Sequence, residues 1–82
     1  MSKKFLIGDR TKDEWISVLD TEKKKLEFTN HIASAKEFKG FEETKEQLKK
    51  LQEQTAGYFQ DLQVYVKDED GKAYRPNESD VL

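Results

Sequence analysis

Residues 11–32, TKDEWISVLDTEKKKLEFTNHI, admit two foldings, and the choice between them decides whether the chain is α+β or helical. Thr11 and Glu14 have the Thr-x-x-Glu spacing of a capping box, which would start a helix through Trp15, Ile16 and Leu19. Continued onward, that helix turns Glu22 and Lys23 toward its apolar face and finds nothing to bury between Asp20 and Lys25. Two strands fit better. Residues 15–19, WISVL, are β-prone and residues 20–24, DTEKK, are loop-forming. In 26–32, LEFTNHI, Leu26, Phe28 and Ile32 then share one face and Glu27, Thr29 and His31 the other, the period of two that marks a half-buried strand. A hairpin is therefore expected, and a mainly helical hairpin is the alternative.

The residues that follow support the strands. Ser34 to Glu37 is a second capping box, so the chain just before it is not expected to be helical. Across 34–58, apolar side chains recur at Phe38, Phe41, Leu48, Leu51 and Tyr58/Phe59, on one side of a 3.6-residue turn. Gly40 interrupts this stretch, and glycine inside a helix costs roughly 1 kcal/mol relative to alanine. The expectation is one turn over 34–38, a bend at 39–40, and a main helix over 41–56 with Gly57 near its C-terminal cap. Residues 58–61 either extend the helix or connect it onward.

Before the hairpin, residues 5–7, FLI, read as a strand closed by Gly8-Asp9-Arg10. After the helix, residues 62–66, LQVYV, are β-prone, and Asp70-Gly71 signals a tight hairpin returning through Ala73-Tyr74 before Pro76. The expected fold is a small antiparallel sheet, β-β-β-α-β with a further short C-terminal strand, packed against one amphipathic helix. Residues 1–76 form a single domain and 77–82 a loose tail.

Composition narrows the chemistry. The 82 residues contain no cysteine, so neither a disulfide framework nor a thiolate nucleophile is available, which fits a reducing cytoplasm. No apolar run approaches the ~20 residues of a membrane span. Fifteen Lys/Arg against seventeen Asp/Glu give a net charge of -2, without the basic excess expected of a nucleic-acid binder. The Lys23-Lys24-Lys25 run is the strongest basic feature, but Asp20, Glu22 and Glu27 dilute its field, so nucleic acid is a disfavoured partner.

The succession Phe5-Leu-Ile7, Trp15-Ile-Ser17, Glu27-Phe-Thr29, Ala35-Lys-Glu-Phe38 and a Glu-rich helix from Phe41 resembles small accessory proteins of phages and mobile elements of Gram-positive bacteria. The likeness covers about residues 5–66. It implies an aromatic strand, a second strand ending in Ser, a Phe-Thr strand, an Ala-Lys-x-Phe turn, an amphipathic helix and a final strand. It also implies a role in binding and blocking a host protein, and carries no catalytic residue across.

No constellation argues for catalysis. His31 is the sole histidine and is expected to be solvated on the outer strand face rather than to act as a metal ligand or base. Asp68-Glu69-Asp70-Gly71 lacks both the first ligand and the closing Glu of a calcium loop. Gly8-Asp9-Arg10-Thr11 lacks the Gly-Lys-Ser/Thr of a phosphate cradle. Neither a catalytic group, a metal nor a cofactor is expected. Trp15, Tyr65 and Tyr74 are different, because Tyr65 lies on the alternate phase of its strand and has no evident internal partner. Aromatics on an open sheet face mark a protein-binding or dimer surface. The expected site combines Trp15, Tyr65 and Tyr74 with the acidic tip Asp68, Glu69 and Asp70. The expected function is a non-enzymatic protein-binding module in the host cytoplasm that occludes a host protein, with self-association into a homodimer or assembly as the alternative.

Overall fold

The hairpin prevails, and the reason lies in its turn. In the computed structural model, which describes residues 4–77, Glu14–Asp20 (β2) and Lys25–Thr29 (β3) are antiparallel strands. Asp20 Oδ1 accepts hydrogen bonds from the backbone N–H groups of Glu22 (3.1 Å) and Lys23 (3.0 Å), and Lys24 closes the loop at φ 56°. The preceding turn, between Lys4–Asp9 (β1) and β2, repeats this device. Asp9 Oδ1 accepts from Thr11 N–H (3.0 Å) and Lys12 N–H (3.4 Å), and Asp13 sits at φ 53°. The Thr11-to-Glu14 capping box goes unused because an aspartate at the end of each strand satisfies the turn's N–H groups first.

Phe41–Gln54 (α1) is followed by Gln63–Lys67 (β4) and the two-residue Ala73–Tyr74 (β5). The five strands form one antiparallel sheet in the order β3-β2-β1-β4-β5, with α1 on one face, as expected for a small α+β fold. Phe5, Ile7, Ile16, Leu51, Val64 and Val66 form the buried core under the helix. The helix presents Phe41, Thr44, Leu48 and Leu51 to it. Thr44 is fully buried, its Oγ1 donating to Gly40 O (2.5 Å). At the C-terminus Gly57 N–H bonds Gln52 O (2.8 Å) and Ala56 N–H bonds Glu53 O (3.3 Å), a Schellman closure with Ala56 at φ 52°. Residues 58–61 form turns rather than helix, and Tyr58 is 80% exposed.

The passage from β3 to α1 departs from the sequence expectation. β3 stops at Thr29, whose Oγ1 accepts from His31 N–H (3.1 Å). The helical turn expected at 34–38 lies earlier, as a 3₁₀ turn over Ile32–Ser34, and 35–38 are extended. The cause is a vacancy in the sheet. β1 and β2 pair only at Gly8↔Trp15 and Asp9↔Glu14, while β2 stays paired with β3 through a register shift between Ile16 and Val18, so β2 lacks a β1 partner from Ile16 onward. Residues 36–38 fill the opening. Lys36 N–H donates to Ile16 O (2.8 Å), while Phe5 and Phe38 exchange both backbone bonds (2.9 and 2.8 Å). A helical turn there would forfeit these three bonds. Because Ala35 packs on the face away from the helix and Phe38 in the helix-side core, the chain crosses the sheet between β2 and β1. Ile32, expected beside Leu26 and Phe28, instead belongs to the opposite face. Of the tail expected at 77–82, all but Asn77 lies outside the described residues.

Candidate interaction surface

Leu6, Trp15 and Tyr65 project from β1, β2 and β4 on the face away from α1. Trp15 can lie there because Gly8 has no side chain. A Cβ at Gly8 would stand 2.5 Å from Trp15 Cε3 and closer still to the backbone oxygen of Glu14. The indole meets Tyr65 edge-on, with ring centroids 5.1 Å apart. Both polar tips are satisfied. Trp15 Nε1 donates to Asp13 Oδ1 (3.2 Å), and Tyr65 OH accepts from Arg10 N–H (3.3 Å). Arg75 lays its guanidinium over the Tyr65 ring (5.7 Å) and donates to Val64 O (2.5 Å).

This face is not open. Trp15 is 3% and Tyr65 6% exposed, covered by Ala35 and flanked by Ile32 and Ala73. The two aromatics expected to offer an exposed surface form a second, smaller core, because the segment that crosses the sheet covers them on its way. Tyr74 is separate. It is half-buried on the helix side, where it packs against the main core. A signal for the second core was present in the chain. Phe5-Leu6-Ile7 and Val64-Tyr65-Val66 are continuously apolar rather than alternating, the mark of strands buried on both faces. Arg10, Ala35 and Arg75, which complete the site, carry no comparable signal.

The acidic segment remains exposed at Glu69 and Asp70 and has a defined shape. Asp68 N–H bonds Lys72 O (2.9 Å), Gly71 N–H bonds Asp68 O (3.1 Å), and Gly71 lies at φ 81°. The tight hairpin expected at Asp70-Gly71 forms with a three-residue loop, and it needs glycine at the left-handed position. Asp68 turns its carboxylate inward, Oδ1 accepting from Asp70 N–H (2.9 Å) and Lys72 N–H (2.8 Å). Glu69 and Asp70 are left as the outward charges of a pinned loop. Beside it runs a groove lined by Arg10, Asp13, Trp15, exposed His31, Lys72 and Ala73 among others. At the hairpin end of β4, Lys67 pairs with Glu37 (2.9 Å), tying the strand to the crossing segment. Among the described residues no group of three His, Asp or Glu side chains is placed to hold a metal ion, and no helix is long and apolar enough to cross a membrane. Comparison with protein-family models, curated proteins and solved structures finds no match.

Proposed function

We propose that the chain is a non-enzymatic protein-binding module of the phage accessory type, which occludes a basic surface of a host protein in the cytoplasm of a Gram-positive bacterium. The pinned acidic hairpin carries this reading. Asp68 spends its carboxylate on the loop's own backbone, so exposed Glu69 and Asp70 sit on a backbone already ordered before binding. The groove that adjoins the hairpin has a lining of mixed charge, Asp13 beside Arg10 and Lys72, so the outward carboxylates supply the attraction. Trp15 and Tyr65 act beneath that surface as its support. Contact made by outward carboxylates is steered by charge and weakens with salt.

The test is capture from a Gram-positive lysate by immobilised wild-type chain and by a Glu69→Lys/Asp70→Lys variant. A stoichiometric partner held by the wild type at low and moderate salt, and released by the variant, is the expected outcome. Absence of any stoichiometric partner, or equal retention by the variant, defeats the assignment.

A further inference from the structure

We propose that β3 is a self-recognition edge, through which two copies of the chain pair antiparallel with Leu26 of one copy opposite Leu26 of the other. β3 and β5 are the two outer strands of the sheet. β5 offers only two residues and is followed by Arg75-Pro76, so it makes a poor template: proline has no N–H to donate, and the Arg75 side chain is engaged with Val64 O. β3 is five residues long, and alternate backbone groups on its outer side point away from β2.

Side-chain charge selects both the occupant and its register. In a two-fold antiparallel pair that keeps the helices on one side, facing residues must share a sheet face, so β3 can align with its copy in only three central registers. Centred on Glu27, the pair sets two carboxylates directly opposite. Centred on Phe28, it sets Glu27 of each copy opposite Thr29 of the other, with no ion pair. Centred on Leu26, it sets Lys25 of each copy opposite Glu27 of the other, giving two ion pairs related by the two-fold axis. The strand's own Lys-x-Glu alternation is thus complementary to itself in that register. The apolar side agrees. Leu26 is half-buried and lines a notch with Leu19, Leu51 and Thr55, where the second copy's Leu26 would complete the cover over the end of α1. The acidic hairpin lies at the opposite edge of the sheet and stays free in such a dimer.

Sedimentation equilibrium over a wide concentration range tests this with variants at two exposed positions, circular dichroism serving as the check that each is folded. The wild type should show a concentration-dependent monomer–dimer equilibrium. Lys25→Glu and Glu27→Lys should each weaken it about tenfold, since either change turns both ion pairs into like-charge pairs. The double variant Lys25→Glu/Glu27→Lys should restore dimerisation to near the wild-type level. A wild type that stays monomeric at every concentration overturns the proposal. So does a Glu27→Lys variant that dimerises as well as the wild type, or a double variant that fails to recover. Loss of lysate capture by the hairpin variant bears on the proposed function alone, because Glu69 and Asp70 lie outside β3.

Discussion

At Gly8 the constraint is contact rather than backbone angle. An added methyl group would run into the Glu14 carbonyl oxygen and the Trp15 ring, and a backbone atom in a paired strand cannot swing aside as a side-chain tip can. Gly8→Ala should therefore lose about 2–3 kcal/mol in denaturant unfolding, as overpacked sites do. Trp15, the sole tryptophan, supplies the fluorescence signal for that measurement. Gly40→Ala is the control: nothing lies within 4 Å of the new Cβ, so the expected loss is only about 0.5 kcal/mol, the difference between Gly and Ala at an N-cap. Ala56 presents the opposite case. It occupies the left-handed C′ position with a β-carbon that this conformation disfavours, one residue before a glycine that would suit it. Ala56→Gly should raise stability by about 1 kcal/mol in the same assay, and an unchanged or lower midpoint would contradict the helix closure described above.

For the hairpins, two strand-ending aspartates set the turns that decide between strand and helix. Asp20→Ala removes the acceptor for two backbone N–H groups in an exposed loop and should cost about 1 kcal/mol. Asp9→Ala should cost more, because the Asp9 side chain is itself buried and its removal forfeits packing as well as the two hydrogen bonds. Equal losses in thermal unfolding would show that burial at Asp9 is without consequence. These elements were legible in the chain because alternation in 26–29, the β-prone 15–19 and the periodic stripe of α1 all act locally. The path of 32–38 was not legible, since its conformation depends on the opening left by β1 and β2, and no residue within 32–38 encodes that opening. Ser34-Ala-Lys-Glu37 has a helix-starting pattern that three hydrogen bonds from the segment to β1 and β2 override. The candidate site divides in the same way. The acidic tip is a local property and stands where the turn residues put it. The burial of Trp15 and Tyr65 is a tertiary property, and only the double-sided apolar runs in β1 and β4 hinted at it.

On the scale of the whole molecule, the crossing segment joins two cores that the sheet would otherwise separate. Ala35 closes the Trp15–Tyr65 side, Phe38 enters the helix side, and the backbone bonds of Lys36 to β2 and of Phe38 to β1 hold the segment between them. A connection of this kind cannot open without exposing both cores, so its stability should be that of the molecule rather than that of a loop. Native-state hydrogen exchange measures this directly. The amides of Lys36 and Phe38 should exchange only through global unfolding, as should that of Phe5, although no regular helix or strand spans them. Phe38→Ala extends the test, because truncating a buried phenylalanine costs about 3–5 kcal/mol. If the two cores are coupled, the remaining folded population should also show faster exchange at Tyr65, on the face that Phe38 does not touch. Loop-like exchange at Lys36 and Phe38 would mean that the segment only rests against the sheet. The acidic hairpin would then be carried by β1 and β4 alone, since the Lys67–Glu37 pair transmits rigidity to it only if Glu37 is itself held in place.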